Sequence, residues 1–445
     1  MRSAAIFLLF TFAFMLNSFA QEIDMKKLDS FFYALKDQNK SMGSFAVAKN
    51  SKIVYETSTG YSALSPDSIL ASSATQYRIG SISKMFTAVM IFQLIDEGKL
   101  SLDTKLSKYF PQMPRAQEIS IRNLLSHTSG LMDYVNDVVD KDWITNPHPA
   151  AELLDTIAKR KLHFAPGEKQ QYSNSGYLLM GYILEKITGK KYSKLLETRI
   201  VKKINLKNTF SSIANNLGKE EAKPYRMIKN WNDIKDIYFP NVIGVGDILS
   251  TPADLLVFIN ALSTGTLISK ASYAQMSTFN GRNSFGMGLI SVPFYSQVGV
   301  GHNGGTYGSY SAVYYFKESG ISIASCINGL NYPLNDISIA VLQISNGMPF
   351  KTPNFKAMQL TAEELKAYSG VYVNKMLPFK MTIAENNGTL TAQATGQSAF
   401  PIEAVSKGVF KFDGAGIVLE FNLEKKEMTL KQGGQKFIFN KQDNQ

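Results

Sequence analysis

The sequence predicts an α/β sandwich whose antiparallel sheet is assembled from both ends of one large domain, followed by a small all-β module. Three observations carry that expectation. A hairpin pattern stands near the start, at residues 44–48 and 52–57, around a Lys49-Asn50-Ser51 turn. Strand-like runs return only at 297–300, 309–316 and 321–328, with mostly helical text and long loops between. Beyond Leu360 short runs (380–384, 389–394, 409–412, 417–423 and 428–431) alternate with Asn-Gly, Asp-Gly and Gly-Gly turns, and helices give way to a barrel or small sandwich.

Taken in order, residues 1–20 read as an export signal. Arg2 opens an apolar stretch over 4–16, and Ser18 and Ala20 supply small residues before a cut ahead of Gln21. Gln21 offers no thiol for a lipid anchor, so the expected location is the periplasm or the cell exterior. A helix is expected over 25–36, and a strong amphipathic helix over 82–97, stopped by Gly98. Further helices are expected over 150–160, 175–188 and 252–263, the last capped by Thr251 with Pro252 at its first position. A helix over 335–345 closes the unit. The expected division is 1–20 signal, 21–346 main domain, 347–360 linker with Pro349 and Pro353, and 361–445 all-β accessory domain.

At 445 residues and 44% hydrophobic, the chain has material for two cores. Its +11 formal charge invites a nucleic-acid reading. The Lys and Arg are scattered among acids with no Arg-rich block, which argues against one. No second apolar stretch approaches membrane length, so no stable membrane span is expected. Cys326, the single cysteine, sits in an apolar run and reads as a buried, inert thiol. No His pair has i,i+4 spacing and the Cys has no partner, so neither a metal nor a cofactor site is expected. Of the four histidines, His148 lies between prolines and reads as solvent-exposed, and His163 heads an apolar stretch and reads as structural.

Among all serines only Ser81 has a lysine three residues on, Lys84. Gly80 precedes it and a helix follows, so the two side chains share a helix face beside unpaired first-turn N–H groups. Alone, the segment fits a capping serine and a solvated lysine equally well. A lone serine needs a base. Tyr-x-Asn occurs at Tyr134, Tyr172 and Tyr372. Tyr372 falls in the β module, and spacing leaves Tyr134 open. Tyr172-Ser173-Asn174 has the best setting, between an Ala165-Pro166-Gly167 turn and the next helix. A phenol titrates near 10, so a neighbouring ammonium such as Lys84 is expected to bring Tyr172 into range.

Four segments in order carry a resemblance over about residues 30–345: Arg78-Ile79-Gly80-Ser81-Ile82-Ser83-Lys84, Leu124-Leu125-Ser126-His127-Thr128-Ser129-Gly130-Leu131, Pro166-Gly167 with Tyr172-Ser173-Asn174, and Ser250-Thr251-Pro252-Ala253-Asp254-Leu255. Together they resemble the class C β-lactamase-related serine hydrolases, which include penicillin-recognising peptidases, D-amino-acid peptidases and esterases. The resemblance implies a β-lactamase/transpeptidase-like α/β (α+β) fold with a helical insertion. It implies Ser81 as acylated nucleophile, Lys84 as activator and Tyr172 as general base and then acid. Asn174 would bind substrate, and His302, Asn303 and Gly304 would stand where β-lactamases carry Lys-Thr-Gly. The N–H groups of Ser81 and Gly305 would form the oxyanion hole. A neutral His302 lacks the permanent cation that holds a β-lactam carboxylate, so weak β-lactamase activity is expected. His127 belongs to a run that is a conformational signature in that family.

The function these signs imply is hydrolysis of a small ester or peptide amide, cell-wall fragments included, by an esterase or D-amino-acid peptidase. The alternatives are a D-alanyl-D-alanine carboxypeptidase or weak β-lactamase and, from another class, a non-catalytic peptidoglycan-fragment binding protein. By analogy the β module could be a lipid-binding calyx or a shield for the site.

Overall fold

The computed structural model describes residues 22–140, 142–212, 220–228, 230–282, 284–355, 358–386, 388–397 and 399–442. The export signal expected over 1–20 lies outside the described residues. Helix α1 (Met25–Asp37) starts at Asp24, whose carboxylate accepts the Lys27 N–H at 3.1 Å. It buries Leu28, Phe31, Phe32 and Leu35, one helical stripe at i, i+3, i+4 and i+7. The hairpin β1 (Ser41–Lys49) and β2 (Lys52–Thr59) turns through Asn50 and Ser51, both at positive φ. That conformation matches the twist of the flanking strands.

The chain then runs through α2 (Ser83–Asp96), α3 (Asn174–Thr188) and α4 (Pro252–Ser263). It returns to the sheet as β3 (Ile290–Phe294), β4 (Gln297–Gly305), β5 (Tyr310–Phe316) and β6 (Ile321–Leu330). Helix α5 (Leu334–Ser345) completes the unit. The strand order is β3-β4-β5-β6-β1-β2, antiparallel throughout, with Ala46 opposite Ala324 and Val47 opposite Ile323. Tyr225–Met227 joins the end of β6 in parallel and pairs with Trp231–Asp233, giving eight strands.

Strand alternation sorts the two faces. Phe45, Val47, Ala312, Ile321 and Ile323 pack with α1 and α5. Ala46, Ala48, Val313, Ala324 and Cys326 face the helical insertion, where α2, α3 and α4 lie. The expectation for the segment after Ser81 needs correction. Every residue of α2 from Ser83 to Leu94 is buried, so this helix has no solvent face and runs through the centre of the insertion. Its one internal charge, Lys84, is therefore buried with it.

Beyond the linker, α6 (Ala362–Lys366) leads into a closed eight-stranded barrel. Its strands are β7 (Gly370–Val373), β8 (Lys380–Asn386), β9 (Thr389–Ala394), β10 (Phe400–Ser406), β11 (Val409–Phe412), β12 (Ile417–Asn422), β13 (Glu427–Gln432) and β14 (Gln435–Lys441). The interior is filled by Met381, Ile383, Leu390, Phe410, Leu419, Met428 and Phe439. A packed interior of this kind is not a calyx.

Candidate active site

Ser81 sits in a single 3-10 turn, Gly80–Ile82, that runs directly into α2. Gly80 takes φ of 50°, and a Cβ there would stand 2.7 Å from Gly305 N. A Cβ on Gly304 would strike Ile79 O at 2.0 Å and approach Ser81 N at 2.9 Å. The missing side chains thus let the end of β4 lie against the nucleophile turn. Thr306 N–H donates to Ser309 O at 2.9 Å, which closes the β4–β5 hairpin. The next pair, Gly305 and Tyr310, is then a non-hydrogen-bonded one, so the Gly305 N–H points away from β5. Strand β3 pairs only as far as Gly301. The Gly305 N–H is consequently aimed at open space beside Ser81.

Lys84 Nζ lies 3.0 Å from Ser81 Oγ and donates to Val245 O, also at 3.0 Å. The Tyr172 hydroxyl donates to Ser81 Oγ at 2.7 Å. Burial brings the Lys84 ammonium down to about 7, against an opposing pull from the Asp133 carboxylate. Burial pushes the Tyr172 phenol up, although its bond to Ser81 works the other way. Burial of both groups thus works against the expected activation of Tyr172 by a Lys84 cation, although Lys84 Nζ lies 5.0 Å from the Tyr172 ring centroid. Where Lys84 is fully buried, burial favours the uncharged pair, amine and phenol, over the ion pair. Lys84 is the group with a proton affinity suited to neutral pH.

Tyr172 is held by the Ser126–Gly130 segment. His127, itself at φ 58°, stacks on the Tyr172 ring at 4.5 Å, and its Nδ1 accepts the Ser173 N–H at 3.2 Å. Its carbonyl accepts the Gln171 N–H at 2.9 Å. Burial and the neighbouring Lys84 and His302 hold the His127 pKa well below its usual value, so the ring is neutral and positions Tyr172. Tyr134 is committed elsewhere: it is buried and donates to Asn241 O at 2.7 Å. Tyr372 lies in the barrel, donating to Tyr368 O at 2.8 Å.

A cavity of about 210 Å³ opens at Ser81. Tyr172, Asn174, Gly80 and Gly305 form its polar side, and Val135, Ile237, Phe239, Val242 and Val245 its apolar wall. His302, Asn303 and Gly304 were expected to touch substrate, but none of them lines this cavity. The alternation of β4 buries the His302 ring and turns Asn303 out to solvent, and Gly304 packs under the serine turn. Burial lowers the His302 pKa to about 4, with Lys84 adding to the effect and the Asn303 carbonyl, 2.5 Å from Nδ1, opposing it. It is a neutral packing group. Thr306 and Tyr307 take the place on the cavity edge.

Several contributors were missed in the sequence. Asp133, 5% exposed, accepts the Asn174 amide with Oδ1 at 3.0 Å and Oδ2 at 2.9 Å. An acid flanked by Leu131, Met132, Tyr134 and Val135 was a signal that could have been read. Asp236 accepts from Thr306 Oγ1 at 2.8 Å and from the Tyr307 N–H at 3.0 Å, tying the hairpin tip to the cavity wall. Arg78 is engaged by Glu221 at 2.7 Å and Asp236 at 3.3 Å, and lies 4.0 Å over the Phe239 ring. The two remaining histidines reverse their expected settings. His148 stacks on Trp143 at 4.1 Å and contacts Glu152 at 2.9 Å, while His163 is exposed. Cys326 is buried, with burial pushing its thiol pKa up. Among the described residues no cluster of three metal-binding side chains occurs, and no helix is long and apolar enough to cross a membrane.

Comparison with known proteins places this geometry. Residues 28–346 match the family model described as Beta-lactamase. The Bacillus subtilis protein PbpX, which bears a penicillin-binding-protein name, is 27% identical over 311 residues, covering 68% of this chain and 75% of that one. The D-amino acid amidase of Ochrobactrum anthropi SV3 superposes with a TM-score of 0.63 at 24% identity, over 72% of this chain and 98% of the amidase. An octameric penicillin-binding protein homologue from Pyrococcus abyssi aligns with 94% of this chain and 100% of its own, with a TM-score of 0.67 at 23% identity. That last likeness extends the shared fold into the C-terminal barrel.

Proposed function

The chain belongs to the Beta-lactamase family of serine hydrolases, and from that premise we propose that it cleaves a small ester or amide without a carboxylate through an acyl-enzyme on Ser81. The carrying observation is the buried Lys84 amine 3.0 Å from Ser81 Oγ, with the Tyr172 hydroxyl on the same oxygen. Neutral Lys84 takes the Ser81 proton as Oγ bonds to the substrate carbonyl carbon. The oxyanion settles between the Ser81 and Gly305 N–H groups. Tyr172 then gives its proton to the departing amine or alkoxide as the scissile bond breaks, and recovers one from the Lys84 ammonium. Water reverses the sequence to release the acid and restore Ser81.

The cavity wall supports a narrower substrate class. No Lys or Arg lines the described cavity, and Arg78 behind it is engaged by two carboxylates. A substrate carboxylate would be desolvated there without a partner. This favours an esterase or D-amino-acid amidase type over a D-alanyl-D-alanine carboxypeptidase or a β-lactamase. Residues 1–20 support action in the periplasm or outside the cell.

The test incubates the protein and Ser81→Ala with a fluorophosphonate probe, a fluorescent penicillin, nitrocefin and p-nitrophenyl acetate. Fluorophosphonate labelling and ester turnover that vanish in Ser81→Ala, with nitrocefin turnover far slower, are expected. No labelling and no turnover would favour a peptidoglycan-fragment binding protein, and fast nitrocefin turnover would overturn the substrate class.

A further inference from the structure

The oxyanion donor of the hydrolase reading, on which this step rests, hangs on two consecutive glycines. Gly304 and Gly305 carry no Cβ to restrict their backbone, so the direction of the Gly305 N–H is set by what grips the chain on either side. On one side Gly304 packs under the serine turn. On the other stands Thr306, whose hydroxyl is used twice. It accepts the Ser309 N–H at 3.2 Å within the hairpin and donates to Asp236 Oδ2 at 2.8 Å outside it. The Tyr307 N–H donates to Asp236 Oδ1 at 3.0 Å. The side chain of Asp236 is 3% exposed and is itself fixed. Its Oδ1 accepts the Ile237 N–H at 2.8 Å, and Arg78 Nη1 lies 3.3 Å from its Oδ2. Arg78 leads into the turn that carries Ser81, and Ile237 lines the cavity. The nucleophile turn, the cavity wall and the β4–β5 tip therefore meet on one carboxylate. The bond from the Thr306 N–H to Ser309 O already closes the hairpin. The contact with Asp236 is not needed for that closure; it sets where the tip lies relative to Ser81.

We propose that Asp236 is a positioning residue that, through the Thr306 hydroxyl, holds the Gly305 N–H on the developing oxyanion. A hydrogen bond aimed at charge that appears only in the transition state acts on the rate and not on substrate affinity. In a loosened tip the donor is still present but off its line, so the loss is smaller than deletion of the donor would bring. Thr306 also edges the cavity, so the effect of its hydroxyl has to be separated from that of its methyl group.

Two substitutions separate them, with p-nitrophenyl acetate as substrate and circular dichroism as the check on folding. Thr306→Val keeps the shape and removes the hydroxyl; Thr306→Ser keeps the hydroxyl and removes the methyl group. In Thr306→Val kcat should fall roughly 10- to 100-fold with KM within about threefold of wild type. Thr306→Ser should stay within about threefold of wild type on both constants. Phenylboronic acid adds to Ser81 and puts an oxygen between the Ser81 and Gly305 N–H groups, so its affinity should fall with kcat in Thr306→Val. Asp236→Ala should lower kcat at least as far. Adding Thr306→Val to it should cost no more than about twofold more, because both changes cut one link. If Asp236→Ala does not fold, the Thr306 pair decides. A folded Thr306→Val with wild-type kcat or boronate affinity, a loss shared by Thr306→Ser, a loss carried by KM, or additive costs would overturn the proposal and leave the hydrolase reading standing. If ester turnover by the wild type does not depend on Ser81, the hydrolase reading fails and this proposal falls with it.

Discussion

The interior of the sandwich beside Ser81 and the interior of the C-terminal barrel are built on opposite principles. The first buries Lys84, His127, Asp133, Asn174, Asp247 and His302 within one domain. The second, among its described residues, buries only apolar side chains and the tyrosines Tyr368 and Tyr372. Burial shifts Lys84, His127, Asp247 and His302 from their ordinary pKa values, and Asp133 and Asn174 are tied by hydrogen bonds. Asp247, for example, is pushed up to about 6 by burial while Ser211 and the Gly244 N–H oppose the shift. Buried polar groups of this kind weaken a fold unless each is matched, and chemistry is the usual reason to keep them. The described barrel residues carry no such set.

The largest effect that can break this contrast comes from Lys84→Met, which is close to isosteric. Loss of the base should lower kcat/KM by roughly 1,000-fold or more. The same change should raise stability. In the unfolded chain the amine keeps its proton up to about pH 10.4, whereas in the folded protein it loses it near 7. The unfolded state thus binds more protons between those values, and stability rises with pH across that window. Lys84→Met should flatten this rise and gain ~1–3 kcal/mol at pH 7, read by denaturant titration at several pH values. In the wild type, kcat/KM should climb as pH passes about 7, where Lys84 becomes the free base. A destabilised Lys84→Met, or an activity profile with no limb near neutrality, would show that Lys84 is an ordinary structural cation.

The barrel should answer oppositely. Phe410 is fully buried and stacks edge-on with Tyr368 at 4.8 Å and Phe421 at 5.5 Å. Phe410→Ala should cost the barrel ~3–5 kcal/mol. Ester turnover at 25 °C should stay within about twofold of wild type, because no described barrel residue lines the Ser81 cavity. Calorimetry should show the barrel transition moving down while the sandwich transition stays in place. A parallel collapse of turnover would give the barrel a part in the site.

The contrast also explains what was legible in the sequence. The α/β class, the split sheet, the hairpin turn and the Pro252 helix follow from periodicity and punctuation, which local residues set. Two strands were less legible: β3 holds Pro293 and β10 holds Pro401, residues that argue against a strand unless it can spare an N–H. In the site, Ser81, Lys84 and Tyr172 were found by spacing and order, and the structure brings them within 3.0 Å contacts of one oxygen. His302 shares the Val313 face of β4, turned toward Lys84 and His127, but it is buried behind the cavity and does not line it. Asp133 and Asp236 were missed because their partners, Asn174 and Thr306, lie 41 and 70 residues away. No local pattern encodes a pairing of that range.

The smallest of these effects sits where the two regions meet. Lys40, just before β1, is buried and reaches Asp413 at 2.9 Å and Glu403 at 3.3 Å in the barrel, with Phe355 of the linker 5.8 Å away under its Nζ. Burial alone would lower its pKa; Asp413 and Glu403 outweigh burial, and the net shift is upward. The pair therefore stabilises the junction at neutral pH and is lost only as pH rises through the raised lysine value. Lys40→Met removes the cation and keeps the packing volume. Because Glu403 is half-exposed and can return to water, the cost should be only ~1–2 kcal/mol of coupling. The readout is the separation between barrel and sandwich transitions in calorimetry, which should widen in Lys40→Met and in the wild type above about pH 10.5. If the two transitions already melt independently in the wild type at pH 7, Lys40 holds nothing together, and the barrel is attached by its linker alone.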